Sequence, residues 1–521
     1  MTGWSVGALP WYPLHFVPAV DLLSALPELI VGAGMVLMLI ADLLVPPSRR
    51  GILAVGTAAV LSAALVAVIW QWGGAAHAYA TFDGSFVADR FGLFSDALIL
   101  STAIVVVLLS PPYLAGRGLH AGEYYILLLA SVVGMLTLAG GTNLIVIFLG
   151  VELLSIPLYV LAGFARDERR SQEAGMKYLL LGGFASAFLL YGMALVYGDT
   201  GKTNLTAIHR VLLEAVPAGH VSPLLMAGIG LIGIGLAFKV SAAPFHWWTP
   251  DVYEGSPVVV TTFMSVATKV AAFAAFLRLF STTFGSAQSG WTVPLALVAI
   301  ASMIFGNVVA LAQRSMKRML AYSGIAQAGY ILIGVAVGQP DGTAAALYYL
   351  AAYTAMNTGA FAVLTILSSR GRECDEYRHL RGLGRREPFL AGLLAIFLLS
   401  LAGFPLTAGF FGKFFLFSAA IHDGQVPLAV WGVVTSAVSV FYYLRVTLLM
   451  LGQAGETEGM DPGSTGGDQL ESWAVQTGDR RAGWTLPGRV LVLTAAAATL
   501  VLGIFPTVVY GVIQGIHAVT G

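Results

Sequence analysis

The chain has 21 arginines but only six lysines: Lys177, Lys202, Lys239, Lys269, Lys317 and Lys413. Four of the six, Lys177, Lys239, Lys269 and Lys413, lie inside apolar runs, where charge is rarest. Arginine keeps its proton in a protein, whereas lysine can release it. A site that must alternately hold and release a proton can use lysine and cannot use arginine. The lysines left in apolar surroundings are therefore placed for titration. A charged residue at mid-membrane costs roughly 2.5–3.5 kcal/mol on insertion scales, so four cost about 10 kcal/mol unless paired or hydrated. For any one lysine the alternative is a static ion pair, or a side chain that snorkels to the membrane surface. Four together with a buried acid argue for a proton relay.

That acid is Glu152, in NLIVIFLGVELLSIPLYVLAGF (Asn143–Phe164). Lys177 follows in EAGMKYLLLGGFASAFLLYG (Glu173–Gly192). Antiparallel neighbours joined at Arg166–Gln172 bring the two to similar depth, and an acid near a lysine makes a plausible electrostatic gate. Lys239 lies in GLAFKVSAAPFHWWTPDVYEGSP (Gly235–Pro257), with His246 beyond the Pro244 break. A neutral histidine can pass a proton between its two nitrogens. The alternative is a helix-end histidine beside interfacial Trp247 and Trp248. Lys239 before it and Lys269 one span later favour the relay. Lys413, in GFFGKFFLFSAAI (Gly409–Ile421), is placed to end it. Lys317, between Arg314 and Arg318, reads first as an interfacial anchor and second as a relay member. Glu28 and Asp96 fall near span ends and read as local hydrogen-bond partners. Tyr348, Tyr349, Tyr353 and Asn357 are polar enough to line hydrated space, though tyrosines are also ordinary packing residues.

The elements that position these groups are membrane spans. The chain is 57% hydrophobic and 10% charged, against about 25% charged in a soluble domain. Apolar runs of about 20 residues, each able to cross a hydrocarbon core about 30 Å thick, recur along it. About 14 spans are expected, near 25–45, 52–72, 91–111, 122–140, 143–165, 173–197, 221–243, 257–280, 291–313, 321–338, 342–369, 388–420, 427–451 and 487–515. Spans seven and twelve are interrupted, at Ala242–Pro250 and Ala402–Gly412. Such breaks survive at membrane depth only where protein or a water-lined cavity satisfies the freed backbone. The fold class is therefore an all-α polytopic membrane protein.

Loops after odd-numbered spans hold Arg49, Arg50, Arg117, Arg166, Arg169, Arg170, Arg314, Arg318 and the cluster Arg370, Arg372, Arg378, Arg381, Arg385 and Arg386. Loops after even-numbered spans hold little more than Arg90, Lys202 and Arg210. The positive-inside rule then puts the odd loops in the cytoplasm and both termini outside a prokaryotic plasma membrane. The acidic, glycine-rich stretch 453–485 dissents mildly and reads as a flexible loop. Spans four to eight hold one broken helix followed by Lys269, and spans nine to thirteen hold another followed by Arg445. Paired broken helices in corresponding positions point to inverted repeats. The expected divisions are 1–121 (spans one to three), 122–284 (first repeat), 285–452 (second repeat), 453–485 (loop) and 486–521 (last span).

Zero net charge suggests no nucleic-acid partner. The first 20 residues lack the basic region and cleavage site of a signal peptide. A single cysteine, Cys374, makes no internal disulfide and no four-thiolate iron–sulfur site. No GxGxxG after a strand, no Walker A motif and no HExxH is present, so no cofactor, nucleotide or metal site of a familiar kind is expected on the chain.

Five segments, FLGVELLSIPLYVLAGF, EAGMKYLLLGGFASAFLLYG, AFKVSAAPFHWWTPDVYEGSP, RMLAYSGIAQAGYILIG and LAGFPLTAGFFGKFFLF, occur in this order. Over residues 80 to 450 they make the chain resemble the antiporter-like membrane subunits of respiratory complex I. The resemblance implies two inverted five-helix repeats with helices seven and twelve broken. It implies a proton-translocation role for Glu152, Lys177, Lys239, His246, Lys269 and Lys413. It also implies other complex I subunits as partners, with flavin, iron–sulfur clusters and quinone carried by or between those subunits. Subunits of Na⁺/H⁺ antiporters and membrane-bound hydrogenases share the superfamily and form the alternative. A passive scaffold with static salt bridges is the alternative of a different class.

Overall fold

The computed structural model describes residues 21–46, 51–74, 79–119, 122–215, 221–338, 340–368, 373–452, 486–516 and 518. Arg49, Arg50, Arg370, Arg372 and the 453–485 loop lie outside the described residues. Helices α1 (Leu26–Leu44) and α2 (Gly51–Gly74) lead into a small antiparallel hairpin, β1 (Tyr79–Thr81) and β2 (Phe86–Ala88). Then follow α3 (Arg90–Gly116), α4 (Glu123–Gly140), α5 (Leu144–Ala162), α6 (Arg169–Thr200) and α7 (Leu205–Ala215). The middle of the chain forms α8 (Pro223–Lys239), α9 (Trp248–Gly255), α10 (Val258–Leu277), α11 (Gln288–Ala310), α12 (Met316–Val337) and α13 (Pro340–Ser368). Two single turns, α14 (Tyr377–Leu380) and α15 (Leu383–Arg386), precede α16 (Pro388–Ala402), α17 (Ala408–His422) and α18 (Val426–Leu451). The end is α19 (Leu486–Ile504) and α20 (Pro506–Gln514).

The chain is an all-α polytopic membrane protein. Among the described residues, twelve helices are long and apolar enough to cross a membrane. Three shorter apolar helices, α8, α16 and α17, join them. The bundle is inside-out by the standard of a soluble protein. Helices α1, α2 and α19 leave many leucines, isoleucines and valines exposed, which suits a lipid surroundings. Helices α10, α12 and α13 are buried along nearly their whole length and carry the buried polar side chains Thr261, Ser265, Lys269, Ser323, Gln327 and Asn357.

Both expected interruptions are present. Helix α8 stops at Lys239 and α9 starts at Trp248, with Ser241 between them at φ 66°. The break is held by neighbours. The Ala243 backbone N–H donates to Ser302 Oγ on α11 at 2.8 Å, and the Trp248 indole donates to the Phe238 carbonyl at 3.2 Å. Helix α16 stops at Ala402 and α17 starts at Ala408, through Gly403 at φ 89° and Leu406 at φ 67°. There the Gly409 N–H donates to Ser400 Oγ at 3.2 Å. The last expected span is interrupted too, where Pro506 divides α19 from α20.

Helix α8 can lie close to α6 because two glycines meet. A Cβ on Gly192 would sit 2.8 Å from the Gly228 carbonyl, and one on Gly228 would sit 2.9 Å from the Gly192 carbonyl. Small residues at such crossings let membrane helices approach closely. This crossing sets where the C-terminal end of α8, and so Lys239, is delivered.

A further buried charge lies where α10 runs into a π-helical turn, Arg278–Thr283. Arg278 is fully buried. Its two terminal nitrogens donate to the two oxygens of Asp89, each at 2.9 Å, and one also reaches the Ala139 carbonyl at 3.0 Å. Asp89 meanwhile caps α3, accepting from the Gly92 N–H at 2.7 Å. One ion pair thus ties α3, α4 and α10 together. Removing one partner of a buried pair leaves the other charge stranded, at a cost of about 3–5 kcal/mol. Arg278→Ala should therefore lower unfolding stability in detergent by about that much. Arg278→Met combined with Asp89→Asn should recover most of the loss, as read from thermal or denaturant unfolding.

Candidate functional site

The lysines occupy two clusters, the second of them set among polar side chains of the three central helices. In the first, Lys239 ends α8, where the negative end of the helix dipole favours a cation. Its Nζ donates to Ser155 Oγ on α5 at 2.7 Å. Ser155 in turn donates to the Val151 carbonyl. The Tyr159 ring lies 5.8 Å from the ammonium. Glu152, one turn before Ser155 on α5, acts electrostatically on Lys239 and Tyr159, and its Oε1 is buried without a hydrogen-bond partner. The acid expected to gate Lys177 thus lies within electrostatic reach of Lys239.

Lys177 has other partners. Its Nζ reaches Glu173 at 2.6 Å and Asp251 at 2.7 Å. Asp251, on α9, also takes Arg318 of α12 at 2.8 Å, and Arg318 takes Glu254 at 2.9 Å. This corrects the expected Glu152–Lys177 pair. Rise per residue sets depth along a helix, but the direction in which a side chain points depends on packing. Helix α6 turns Lys177 toward α9.

Lys317 is 1% exposed and is no surface anchor, contrary to its first reading. It pairs with Glu373 at 2.7 Å and donates to the Ser256 carbonyl at 2.6 Å. Glu373 also accepts from the Tyr113 hydroxyl at 2.6 Å and the Val258 N–H at 3.3 Å. Glu373 lies in the segment after α13. Burial pushes its carboxyl up, but Lys317 and the hydrogen bonds outweigh burial and hold it below the usual carboxylate range.

The second cluster lies deep between α10, α12, α13, α16, α17 and α18. Lys269 Nζ donates to the Gly324 carbonyl and lies 5.6 Å from the Tyr353 ring. Tyr353 and Asn357 both hydrogen-bond Ser265, at 3.1 and 3.0 Å. Lys413 donates to the Leu401 and Ala402 carbonyls at 3.2 and 3.0 Å and to Ser436 Oγ at 2.9 Å. Those carbonyls are free because α16 ends there. The residue four beyond Leu401 is Pro405, which has no N–H to offer. A cavity of about 270 Å³ lies beside Lys413, lined in part by Gly403, Phe417 and Val433. Tyr349 donates to Gln327, whose amide donates to the Leu401 carbonyl at 3.2 Å and to the Tyr443 hydroxyl at 3.3 Å.

His246 is buried and stacks on exposed Trp247, with ring centres 5.0 Å apart. Its Nδ1 has no hydrogen-bond partner, and no hydrogen bond joins it to Lys239 or Lys269 among the described residues. Trp248, interfacial only in the alternative reading of His246, is buried and stacks on Tyr178 at 4.5 Å. Asp96 and Glu28 each keep one buried carboxylate oxygen without a partner, so local hydrogen bonding does not satisfy them. Tyr348 packs outward, donating to the Leu502 carbonyl of α19. Tyr349, Tyr353 and Asn357 belong to the central polar network.

Several participants were not singled out from the sequence. Arg278 stands in an apolar span as the lysines do, and the same signal, charge within an apolar run, exposes it. Gln327 and Ser155 carry no such mark, since small polar residues in spans are common. Asp251 sits in the break and is informative only once Lys177 and Arg318 are seen beside it.

Long apolar helices, two of them broken beside buried lysines, define a membrane protein built to hold charge in its interior. Comparison with known proteins narrows the class. Residues 141–439 match the family model described as NADH:quinone oxidoreductase/Mrp antiporter, TM. The chain belongs to this family. It is 41% identical over 490 residues to NADH-quinone oxidoreductase subunit N of Trichlorobacter lovleyi, covering 94% of this chain and 96% of that one. A chain of respiratory complex I from Thermus thermophilus with bound Aureothin superposes with TM-score 0.75 at 32% identity, covering 94% of this chain and 100% of that one. A chain of the Mrp complex from Dietzia sp. superposes equally well, TM-score 0.75 over 95% of each chain, but at 24% identity that likeness is one of fold.

A lowered carboxyl value stabilises the fold above the ordinary carboxylate range, and that stability is lost as the pH falls through the folded value. Glu373→Gln should therefore lower stability at neutral pH, and the gap from the parent protein should close as unfolding is followed into acid. Asp251→Ala should cost only about 1 kcal/mol in the same assay, because its pairs with Lys177 and Arg318 are about a third exposed.

Proposed function

We propose that this chain acts as subunit N of a proton-translocating NADH–quinone oxidoreductase, respiratory complex I, and moves protons through its buried lysines. The observation that carries this reading is the pair of buried lysines Lys269 and Lys413. Among the described residues Lys269 is held by a carbonyl and Lys413 by two carbonyls and a hydroxyl, with no carboxylate in hydrogen-bonding contact. A static scaffold has no use for ammoniums whose charge no acid answers. Lys239, opposed by Glu152 and bonded to Ser155, is the third member. Lys177 is a further member, held in the Asp251 ladder at one end of the bundle. His246 is placed next to the α8 break and would hand protons on after a small rearrangement of that break. Lys317 serves the Glu373 pair, and a relay role for it is secondary.

Subunit N proteins and a complex I chain are alike to this chain over nearly its full length, which supports other complex I subunits as its partners. In such a complex the flavin and iron–sulfur clusters sit on other subunits, and quinone is reduced away from this chain. Cys374 alone could not ligate a cluster. The chain's own contribution is translocase chemistry, since the free energy arrives from the distant redox step. The arginine-rich loops favour the cytoplasmic side of a prokaryotic plasma membrane, with both termini outside. Counting α8 with α9 and α16 with α17 as single broken spans favours 14 crossings. The two breaks then fall in corresponding places in 122–284 and 285–452, as inverted repeats require. An Mrp-type antiporter shares the fold, and nothing beyond the fold favours it.

Lys239→Ala should reduce NADH-driven proton uptake into vesicles at least several-fold while the complex still assembles. Lys239→Arg should be nearly as damaging, because arginine keeps the charge but does not release the proton. Full pumping by Lys239→Ala would remove Lys239 from the relay, and near-normal pumping by Lys239→Arg would mean that charge alone is needed.

A further inference from the structure

Lys269 and Lys413 do not touch, and the groups between them are specific. Gln327, 1% exposed, stands one turn along α12 from Gly324, whose carbonyl holds Lys269. Its Oε1 accepts from the Tyr349 hydroxyl, and its NH2 donates to the Leu401 carbonyl and the Tyr443 hydroxyl. The Leu401 carbonyl is the same atom that accepts from Lys413. The orientation of the amide is forced, because a backbone carbonyl only accepts and must be met by the NH2. Tyr443 bonds Ser323, the neighbour of Gly324. On the Lys269 side there are therefore hydroxyls, on the Lys413 side an ammonium, and between them one amide. Hydroxyls and amines pass protons by taking one as they release another. A carboxamide does neither near neutral pH.

The side branch has the same construction. Lys413 faces the Tyr330 ring at 4.9 Å, and among the described residues the Tyr330 hydroxyl reaches Tyr442 through the Asn307 amide, at 3.1 and 3.0 Å. The contacts from the Tyr443 hydroxyl to Lys413 are thus continuous yet closed to protons, at the Gln327 amide and at the Leu401 carbonyl, which accepts from both Gln327 and Lys413.

We propose that Gln327 is a gate between Lys269 and Lys413: while its amide holds the Leu401 carbonyl, protons do not pass, and they pass when it lets go. Breaking that bond exposes the carbonyl and leaves a gap beside Lys413 that water can enter. Gln327 is a positioning residue in this role, since it carries no proton itself. The proposal rests on the relay reading given above.

The test uses the intact complex in proteoliposomes, with two readouts: protons moved per NADH oxidised, and passive proton leak down an imposed pH gradient without NADH. Gln327→Glu puts a proton-exchanging carboxyl of the same size into the same place. It should raise the passive leak several-fold and lower the proton yield per NADH. Gln327→Leu fills the space without hydrogen bonds and keeps it dry, so it should lower the proton yield without raising the leak. A packing role alone would make the two variants alike, and that result overturns the gate. A Gln327→Glu complex as tight as the parent overturns it too. Should either variant not assemble, Gln327→Asn, one methylene short of Leu401, should leak, and a tight Asn variant counts against the gate. Lys413→Ala separates the two ideas. Undiminished pumping there removes the relay itself, whereas lost pumping with a tight Gln327→Glu removes only the gate.

Discussion

An ammonium inside a bilayer must be answered by protein oxygens, because hydrocarbon offers none. Most of this architecture follows from that demand. An unbroken helix uses its own carbonyls and has none to lend. A helix that stops at mid-depth frees its last carbonyls. Helix α16 does so at Ala402, Pro405 keeps the Leu401 carbonyl unclaimed, and Lys413 takes both oxygens. Helix α8 applies the same principle differently, ending on the lysine itself. The two breaks are thus where a charge is stored, and each is braced by a serine hydroxyl, Ser302 from the neighbouring α11 at the first and Ser400 from the last turn of α16 itself at the second.

The second consequence is the inside-out distribution of polarity. Apolar side chains face outward from α1, α2 and α19, while hydroxyls and amides gather on α10, α12 and α13. Buried polar groups without partners are costly, and several of these side chains pair with one another, as Asn357 does with Ser265 and Gln327 with Tyr349. The result includes side-chain networks such as the one around Gln327, which takes in Tyr349, Tyr443 and Ser323. Their members differ in kind. Lysines, tyrosines and serines can exchange protons, while Gln327 and Asn307 cannot. A network that mixes the two can hold protons apart as well as carry them.

Charge pairs of a different character lie at the end bearing the arginine-rich loops. The chain Glu173–Lys177–Asp251–Arg318–Glu254 and the Lys317–Glu373 pair link α6, α9 and α12 to the segment after α13. Partly exposed pairs contribute little to stability, but they join the short helix beyond the first break to helices of both halves. Movement of α9 would be felt at Lys177 and Arg318 together. The buried Arg278–Asp89 pair, by contrast, is a structural tie between α3, α4 and α10.

The membrane class, the approximate spans, both broken helices and the presence of lysines inside apolar spans were all legible in the sequence. The physical reason is that a bilayer punishes charge and free backbone so heavily that their positions stand out in one dimension. The sequence also marked Glu152 as a partner, since an acid at that depth needs a counter-charge. Which lysine it meets was decided by tertiary structure. Spacing gives depth, but packing sets which faces meet: it brings Glu152 of α5 within electrostatic reach of Lys239 and turns Lys177 to Asp251. The burial of Lys317 depends on Glu373, which is 56 residues away in the chain. Gln327 is an ordinary polar residue in the sequence. Only the folding of α12 against α13, α16 and α18 places its amide between two lysines, because a hydrogen bond depends on distance and direction that no linear spacing contains.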